Sequence, residues 1–536
     1  MANYGFIIDN RRCIGCHACT VACKSEHQVS IGVNRTWVKY IEKGVFPHSR
    51  RLFSVLRCNH CDDAPCVEIC PVTALFRRSD GIVDFDNRRC IGCKACMQAC
   101  PYDALYIDPQ TQTAAKCNYC AHRIDVGLEP ACVVVCPTQA IVSGDLDDPN
   151  SRISQIKNRH QVTARRVEKG TQPQLFYIDG DIDSLDPLAA PPQSGTLWGQ
   201  QVRGVGQHAP DESNGHLHPL DLLSQWLAVP DEDPRRQADK ERLVHDVLAD
   251  RAPRRAYDAP NKGTTWGWQV PSYLFTKGIA AGAMFVPLLA VSWGLNLGTG
   301  LLNWSVLAAL VFLVFTGLLL IADLKQPKRF LYVLLRPQWR SWLVRGAYCI
   351  TCFGALIPVY WLAATLGGLH WAEAPARWLV MILAVATAVY TAFLFAQAKG
   401  RDYWQSSVLP WQMLAHSVLL GAGWLGLLAP CLTAEWVSAL SVVLAAGAIV
   451  HLAGEAIEMN LTHSSLAAKR VARMLTHGKY RRMYWVGSIV LGGLLPLALC
   501  ATASAWGLLL ASLIVLPGVL VSQYLLVHVP QQIPLS

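Results

Sequence analysis

The chain contains 536 residues, of which 52% are hydrophobic and only 16% are charged. This composition is too apolar for a set of soluble domains, and it predicts that a substantial part of the chain lies in lipid. Most charged residues precede position 265, whereas the rest of the chain consists of runs rich in Leu, Ala, Val and Gly. The formal net charge of +9 does not indicate a nucleic-acid partner, because many basic residues lie in short loops between apolar runs.

Cysteine spacing in the first half predicts iron–sulfur clusters. Sixteen of the twenty cysteines form four groups of four, and the first and third groups have the ferredoxin spacing C-x2-C-x2-C-x3-C. Zinc favours two separated C-x2-C pairs, and the amino terminus shows no export signal that would favour disulfides. We predict four [4Fe-4S] clusters with these ligands: Cys13, Cys16, Cys19, Cys23, Cys58, Cys61, Cys66, Cys70, Cys90, Cys93, Cys96, Cys100, Cys117, Cys120, Cys132 and Cys136.

The cluster region also contains an internal duplication. The segment from Asp9 to Cys19 recurs, with few changes, as the segment from Asp86 to Cys96. Within a group, the first three thiolates wrap one corner of a cubane, and the fourth points toward a neighbouring cluster. Ligands are therefore expected to be exchanged between groups.

On these motifs, residues 3–190 resemble the four-cluster ferredoxin subunit of the molybdopterin oxidoreductase superfamily. The resemblance implies a duplicated α+β ferredoxin-like fold for a domain of residues 1–190, with ligand exchange between the first and fourth groups and between the inner two. The implied sets are Cys13, Cys16, Cys19 and Cys136; Cys117, Cys120, Cys132 and Cys23; Cys58, Cys61, Cys66 and Cys100; and Cys90, Cys93, Cys96 and Cys70. Some relatives replace a cysteine of the third group with Trp, but this sequence keeps all of them.

Residues 191–265, rich in Pro, Gly, Gln and Asp, are predicted to form a linker. Beyond it, eight apolar runs of spanning length predict an all-α transmembrane bundle: 272–295, 303–323, 341–366, 378–398, 411–430, 435–457, 483–505 and 507–529. Loops on one side of these runs carry thirteen Lys and Arg residues, and loops on the other carry one, Arg377. This bias predicts a multi-pass protein of the bacterial inner membrane, with both termini and the clusters on the cytoplasmic side.

The membrane half, residues 266–536, resembles the NrfD/PsrC family of quinone-interacting anchors over about residues 266–529. The motifs that carry this resemblance are Trp-Gly-Trp-Gln-Val-Pro at 266–271, Asp-Leu-Lys-Gln-Pro-Lys-Arg-Phe at 323–330, and Leu-Pro-Trp at 409–411. This family normally accompanies the ferredoxin subunit as a separate chain, so the protein is expected to be a fusion. The resemblance implies a quinone pocket on the first and fourth spans, near the ferredoxin domain.

Ionisable residues within the runs are functional candidates, because charge in lipid is costly. Tyr273, Lys277 and Tyr390 are the nearest matches to the implied quinone pocket, although the family pattern does not include Lys277. His451 and Glu455 lie on one helical stripe and are expected to pass protons to the cytoplasm. The remaining candidates, for several of which snorkelling or helix-end polarity is an open alternative, are Asp323, Arg345, His416 and Glu458.

Together, these features predict the electron-transfer and membrane-anchor subunit of a respiratory oxidoreductase. Its membrane substrate would be menaquinone or ubiquinone, and its partner a molybdopterin (Mo or W) catalytic subunit acting on polysulfide, thiosulfate, sulfite, DMSO or formate. No pterin-binding domain is recognisable in the chain, so it is expected to be non-catalytic or reactive only toward quinone. A hydrogenase-associated subunit and a passive anchor without a quinone site are the alternatives.

Overall fold

The computed structural model describes residues 2–44, 49–190, 253–259, 262–366, 370–460 and 465–536. The amino-terminal half combines strands and short helices. Its strands are β1 Tyr4–Asp9, β2 Thr36–Lys43, β3 Arg50–Arg57, β4 Leu75–Arg77, β5 Val83–Phe85, β6 Tyr106–Ile107, β7 Ala114–Ala115, β8 Ile141–Asp145, β9 Val162–Thr163, β10 Leu175–Ile178 and β11 Arg254–Tyr257. Its helices are α1 Ala18–His27, α2 Pro65–Glu68, α3 Ala95–Ala99, α4 Ala121–Ile124, α5 Ala131–Val134, α6 Arg152–Arg159 and α7 Ile182–Leu185.

The largest sheet has the strand order β8-β1-β10-β9. Strand β1 is one of its two inner strands and is buried on both faces, in keeping with its continuous apolar run Phe6-Ile7-Ile8. It pairs parallel to β10, with Phe6 opposite Leu175, and antiparallel to β8. A second sheet has the order β11-β2-β3.

The predicted linker contributes to this second sheet. Residues 191–252 lie outside the described residues, but the end of the segment forms β11, which pairs antiparallel with β2. Arg255 of β11 also donates to the carbonyl oxygen of Ser536 at 2.9 Å. The stretch before the first span is therefore part of the folded domain as well as a connection.

The carboxyl-terminal half is helical. Its helices are α8 Gln269–Ser292, α9 Thr299–Asp323, α10 Tyr332–Leu335, α11 Trp342–Thr365, α12 His370–Gln397, α13 Leu409–Gly426, α14 Ala434–Asn460, α15 Leu466–Thr476, α16 Leu495–Cys500 and α17 Ala505–His528. A π-helix, Met483–Leu494, precedes α16. Among the described residues, seven helices are long and apolar enough to cross a membrane, and α13 is not among them, so the predicted count of eight is not confirmed. Most of α13 is buried by protein and it carries Gln412, His416 and Ser417, so it needs fewer lipophilic side chains.

Helices α8 and α13 approach closely at two glycines. A Cβ atom on Gly282 would lie 1.9 Å from the carbonyl oxygen of Ser417 and 2.7 Å from the Cα of Gly421. Small residues at such crossings allow helix backbones to meet in membranes. The contact aligns the helix bearing Lys277 with the helix bearing His416.

Gly282→Ala should therefore destabilise the bundle by about 1–3 kcal/mol, because the added methyl group overpacks the crossing. Gly317→Ala in α9 is the matched control, since a Cβ atom there meets nothing within 4 Å. Thermal unfolding of the purified proteins in detergent compares the two. Equal melting temperatures would show that the crossing tolerates a side chain.

Candidate functional site

The structure brings the sixteen cysteines of the first half into four sets. Within each set, the thiols are close enough to interact electrostatically, and each set contains one cysteine from a distant group. The distant cysteines of the four sets are as follows: Cys136 lies beside Cys13; Cys23 lies beside Cys117, Cys120 and Cys132; Cys100 lies beside Cys58, Cys61 and Cys66; and Cys70 lies beside Cys90, Cys93 and Cys96. These are the sets that the resemblance implies.

Repeated loops shape the first and third groups. Gly15 and Gly92 occupy equivalent positions, and both adopt a φ of 70°. This left-handed backbone is the one that glycine adopts at least cost. In the third group, the turn directs the Gly92 backbone N–H toward the Cys90 sulfur at 3.4 Å. The Cys-Ile-Gly-Cys motif thus encodes a tight turn and a donor to a ligand sulfur.

The cysteine sets fit four-iron clusters. Burial raises the pKa of the Cys19 and Cys100 thiols to about 11, so thiolates there require a compensating positive centre. Among the described residues, no three His, Cys, Asp or Glu are close enough to share a single ion. A cavity lies among four thiols of one set: Cys70, Cys90, Cys93 and Cys96.

The sets form a series. Cys19 interacts electrostatically with Cys132, Cys58 with Cys117, and Cys96 with Cys66. Each set can be named after the group that supplies most of its cysteines. These contacts then place the sets in the order first, fourth, second and third. At the first end, Cys16 is exposed to solvent.

The last set lies against the membrane bundle. Lys94, which follows Cys93, forms an ion pair with Asp323 at the end of α9, with 2.7 Å between Nζ and Oδ1. The two side chains are only 8% and 9% exposed. The Lys325 backbone N–H donates to the Gly92 carbonyl at 3.3 Å, and the Trp266 indole donates to the Cys93 carbonyl at 3.2 Å. Asp323 is therefore part of a buried joint between the halves, and not merely a polar helix end.

Tyr273, Lys277 and Tyr390 lie together within the bundle. The Lys277 ammonium donates to the Ala388 carbonyl at 3.1 Å and to the Thr391 hydroxyl at 2.6 Å, and it stands 4.5 Å from the centroid of the Tyr390 ring. Of the three predicted side chains, Lys277 is 1% exposed and the two tyrosines are each 4% exposed. Thr391 is not predictable from the sequence, because a threonine in an apolar run is not distinctive.

A second polar cluster contains the two histidines. His451 Nε2 lies 3.1 Å from the Ser488 carbonyl oxygen, and His451 Nδ1 lies 3.1 Å from His416 Nε2. A carbonyl only accepts, so Nε2 of His451 carries the proton, and a neutral His451 accepts from His416. His416 Nδ1 then has no partner among the described residues.

Glu455 borders a cavity beside these histidines. Its carboxylate lies 3.5 Å from the Ser522 hydroxyl and is hydrogen-bonded to Tyr484. Polar residues lining the cavity are Tyr403, Gln412, His416, Glu455, Tyr484, Ser488 and Ser522. Glu458, one turn further along α14, accepts from the Ser406 hydroxyl at 2.5 Å. By contrast, Arg345 is exposed and bonds the Trp339 carbonyl, as a snorkelling residue would.

Comparisons with known proteins match the two halves separately. A family described as "Polysulphide reductase, NrfD" matches residues 258–534, and "4Fe-4S dicluster domain" families match residues 12–75 and 50–146. A tetrathionate reductase subunit of Salmonella typhimurium is 46% identical over 203 residues, covering 36% of this chain and 79% of the relative. A polysulfide reductase component of Wolinella succinogenes is 41% identical over 180 residues, covering 33% and 93%. NrfC of Escherichia coli is 43% identical over 178 residues, covering 33% and 80%. The predicted resemblance of both halves is confirmed.

Proposed function

Because this protein belongs to the polysulphide reductase NrfD family and its amino-terminal half is similar to the tetrathionate reductase subunit, we propose that it relays electrons between a membrane quinone and a catalytic subunit that it anchors. The domains are residues 1–190, the connecting segment 191–265 and the membrane half 266–536. The four sets of cysteines would hold four [4Fe-4S] clusters, which supply one-electron transfer when bound.

The position of Asp323 is the main support for this proposal. The Asp323 side chain interacts electrostatically both with Cys93, a ligand of the last set, and with Tyr273, a residue of the proposed quinone site. The site for a two-electron carrier therefore lies beside the end of the cluster series. A passive anchor would not need a buried lysine, a buried carboxylate and two buried tyrosines at this position.

The quinone headgroup would bind at Tyr273, Lys277 and Tyr390. A quinone carbonyl gains negative charge on reduction and needs a hydrogen-bond or proton donor. Lys277 and Tyr390 are donors, and the Ala388 carbonyl and Thr391 hydroxyl orient the Lys277 ammonium. The Tyr390 ring packs against Gly346, where a Cβ atom would lie 2.1 Å away, so the tyrosine position depends on that glycine.

Protons would be exchanged through the second polar cluster, the one that contains the two histidines, on the side of the iron–sulfur domain. His416, His451 and Glu455 are adjacent, and Glu455 interacts with Glu458, which is bonded to Ser406. The loop containing Ser406 also contains Asp402, which forms an ion pair with Lys169 of the iron–sulfur domain. Glu455→Gln should therefore slow turnover with quinone without affecting the clusters.

We also propose eight spans, with α13 as the fifth, in a bacterial cell membrane. The two ends of the bundle support an even number, because Gln531 near the carboxyl terminus bonds Trp266 before α8 and Gln98 of the iron–sulfur domain. The excess of basic residues in the loops on this side supports a cytoplasmic location.

A reporter fused after Ser536 tests the topology. A cytoplasm-active reporter is expected to work there and a periplasm-active one to fail, whereas insertions between α8 and α9, at 293–298, should give the opposite pattern. If the periplasm-active reporter works after Ser536, the iron–sulfur domain is exported and the catalytic reaction takes place outside the cytoplasm.

The catalytic partner would be a molybdopterin subunit that meets the exposed first set of cysteines. Relatives named as components of tetrathionate and polysulfide reductases support this class of partner. Affinity purification in mild detergent should recover a large subunit containing molybdenum or tungsten, measured by elemental analysis. Recovery of a nickel-containing partner instead would indicate the hydrogenase alternative.

A further inference from the structure

Two buried cations occupy equivalent positions in the duplicated iron–sulfur domain. Arg57 directly precedes Cys58, and Lys116 directly precedes Cys117. The five-residue motifs correspond: Arg-Cys-Asn-His-Cys at 57–61 and Lys-Cys-Asn-Tyr-Cys at 116–120. Both side chains are 0% exposed. Neither cation forms an ion pair with a carboxylate among the described residues.

Arg57 contacts the cysteine set that contains Cys117. Its Nη1 donates to the Cys132 sulfur at 2.9 Å, and its charge interacts with Cys117 and Cys19. The guanidinium carbon stands 4.6 Å from the centroid of the Phe6 ring. The Nε and Nη2 donors are buried without any partner among the described residues.

Lys116, in turn, lies near the cysteine set that contains Cys58. It donates to the Val83 carbonyl, and to the Cys117 carbonyl at 2.9 Å. Its ammonium also interacts electrostatically with Cys58 and Cys66. Each cation thus precedes the first cysteine of one set and faces thiols of the set that the other cation precedes, so both lie between the two middle sets of the series.

A buried cation without a counter-ion costs several kcal/mol. Thiolate-ligated clusters are anionic, and they provide the missing negative charge at both positions. A cluster becomes more negative when it is reduced, so a fixed cation beside it stabilises the reduced form. Net charge and hydrogen bonds to the sulfur atoms are among the factors that set cluster potentials.

We propose that Arg57 raises the reduction potential of the cluster held by Cys117, Cys120, Cys132 and Cys23, and that Lys116 raises that of the cluster held by Cys58, Cys61, Cys66 and Cys100. These are the two middle positions of the series. The inference rests on the proposed cluster ligands. It assigns Arg57 and Lys116 as tuning residues that bind neither the quinone nor the terminal substrate.

The test is a redox titration of the full-length purified protein, followed by electron paramagnetic resonance. Arg57→Met should move one of the four midpoint potentials to a lower value, Lys116→Met should move a different one, and the double variant should move both. Arg57→Lys, which keeps the charge, should shift its cluster less than Arg57→Met. Lys39→Met is the matched control, because Lys39 is 0% exposed on the neighbouring strand and its charged neighbours are Arg165, Arg255, Asp258 and Asp186.

Iron and sulfide content separates the possible failures. A wild-type protein without four clusters would contradict the proposed function itself. Four clusters with unchanged potentials in both Met variants, or the same cluster shifted by both, would overturn the tuning inference alone. If the Met variants lose their clusters, Arg57→Gln and Lys116→Gln are titrated in their place. Failure of every neutral variant to assemble clusters would show that the cations are folding elements, and this result would also overturn the inference.

Discussion

Lys277→Leu is expected to lower the rate of electron transfer from a quinol to ferricyanide by on the order of 100-fold, the loss typical of removing a general acid–base group, because the group that donates a proton when quinone is reduced accepts one when quinol is oxidised. The four clusters should still assemble and should still be reduced by dithionite. The assay uses the purified chain and a short-chain quinol, and cluster reduction is followed by visible absorbance.

The expected size of this effect follows from the position of the lysine. Lys277 is 1% exposed and is held by Ala388 and Thr391, so bulk water has no direct access to replace it in proton transfer. Leucine has a similar volume, which limits packing damage. Tyr390→Phe removes only one hydroxyl group and should cause a smaller loss.

Lys328→Leu is the control, because Lys328 is exposed in the loop that follows α9. It removes the same charge from the same side of the bundle without touching the site. Normal quinol oxidation by both Lys277→Leu and Tyr390→Phe would place the quinone elsewhere in the bundle.

Cys23→Ser should remove the cluster held with Cys117, Cys120 and Cys132, and it should spare the cluster of its own group. Cys23 is buried and interacts electrostatically with those three thiols. Because this cluster is second in the series, its loss should interrupt electron transfer between the exposed end and the membrane.

Spectroscopy that resolves the individual clusters, together with iron content, measures this outcome. Cys349→Ser is the control, since Cys349 lies in α11, away from the cysteine sets. If Cys23→Ser instead removes the cluster built on Cys13, Cys16 and Cys19, the proposed ligand exchange is wrong.

The sequence was most informative where chemistry requires a short spacing. Three thiolates two residues apart suit a cubane corner, so Cys90, Cys93 and Cys96 could be grouped by their spacing alone. Their pairing with Cys70 depends on the fold, and only the resemblance implied it. Cys70 and Cys90 are brought together by the β4–β5 hairpin that lies between them, a tertiary arrangement that cysteine spacing does not encode.

The membrane half was less predictable. Hydropathy located the helices, but it gave no reason to join Asp323 to Lys94, which lies 229 residues earlier. The predicted count of eight spans is not confirmed, because α13, which overlaps the predicted run 411–430, carries the polar residues Gln412 and His416 and is not among the candidate spans of the described residues. Likewise, β11 lies in a polar segment whose composition predicted a linker, and its pairing with β2 is a tertiary contact.

Quinone is proposed to exchange electrons with clusters held by the same chain. The most direct test is a single-turnover experiment on the purified protein in lipid nanodiscs, in which the clusters are reduced, excess dithionite is removed and a quinone is added anaerobically. We expect rapid reoxidation of the clusters that depends on the quinone and is lost in Lys277→Leu. Clusters that remain reduced in the wild-type chain with quinone, yet are reoxidised by ferricyanide, would contradict this proposal.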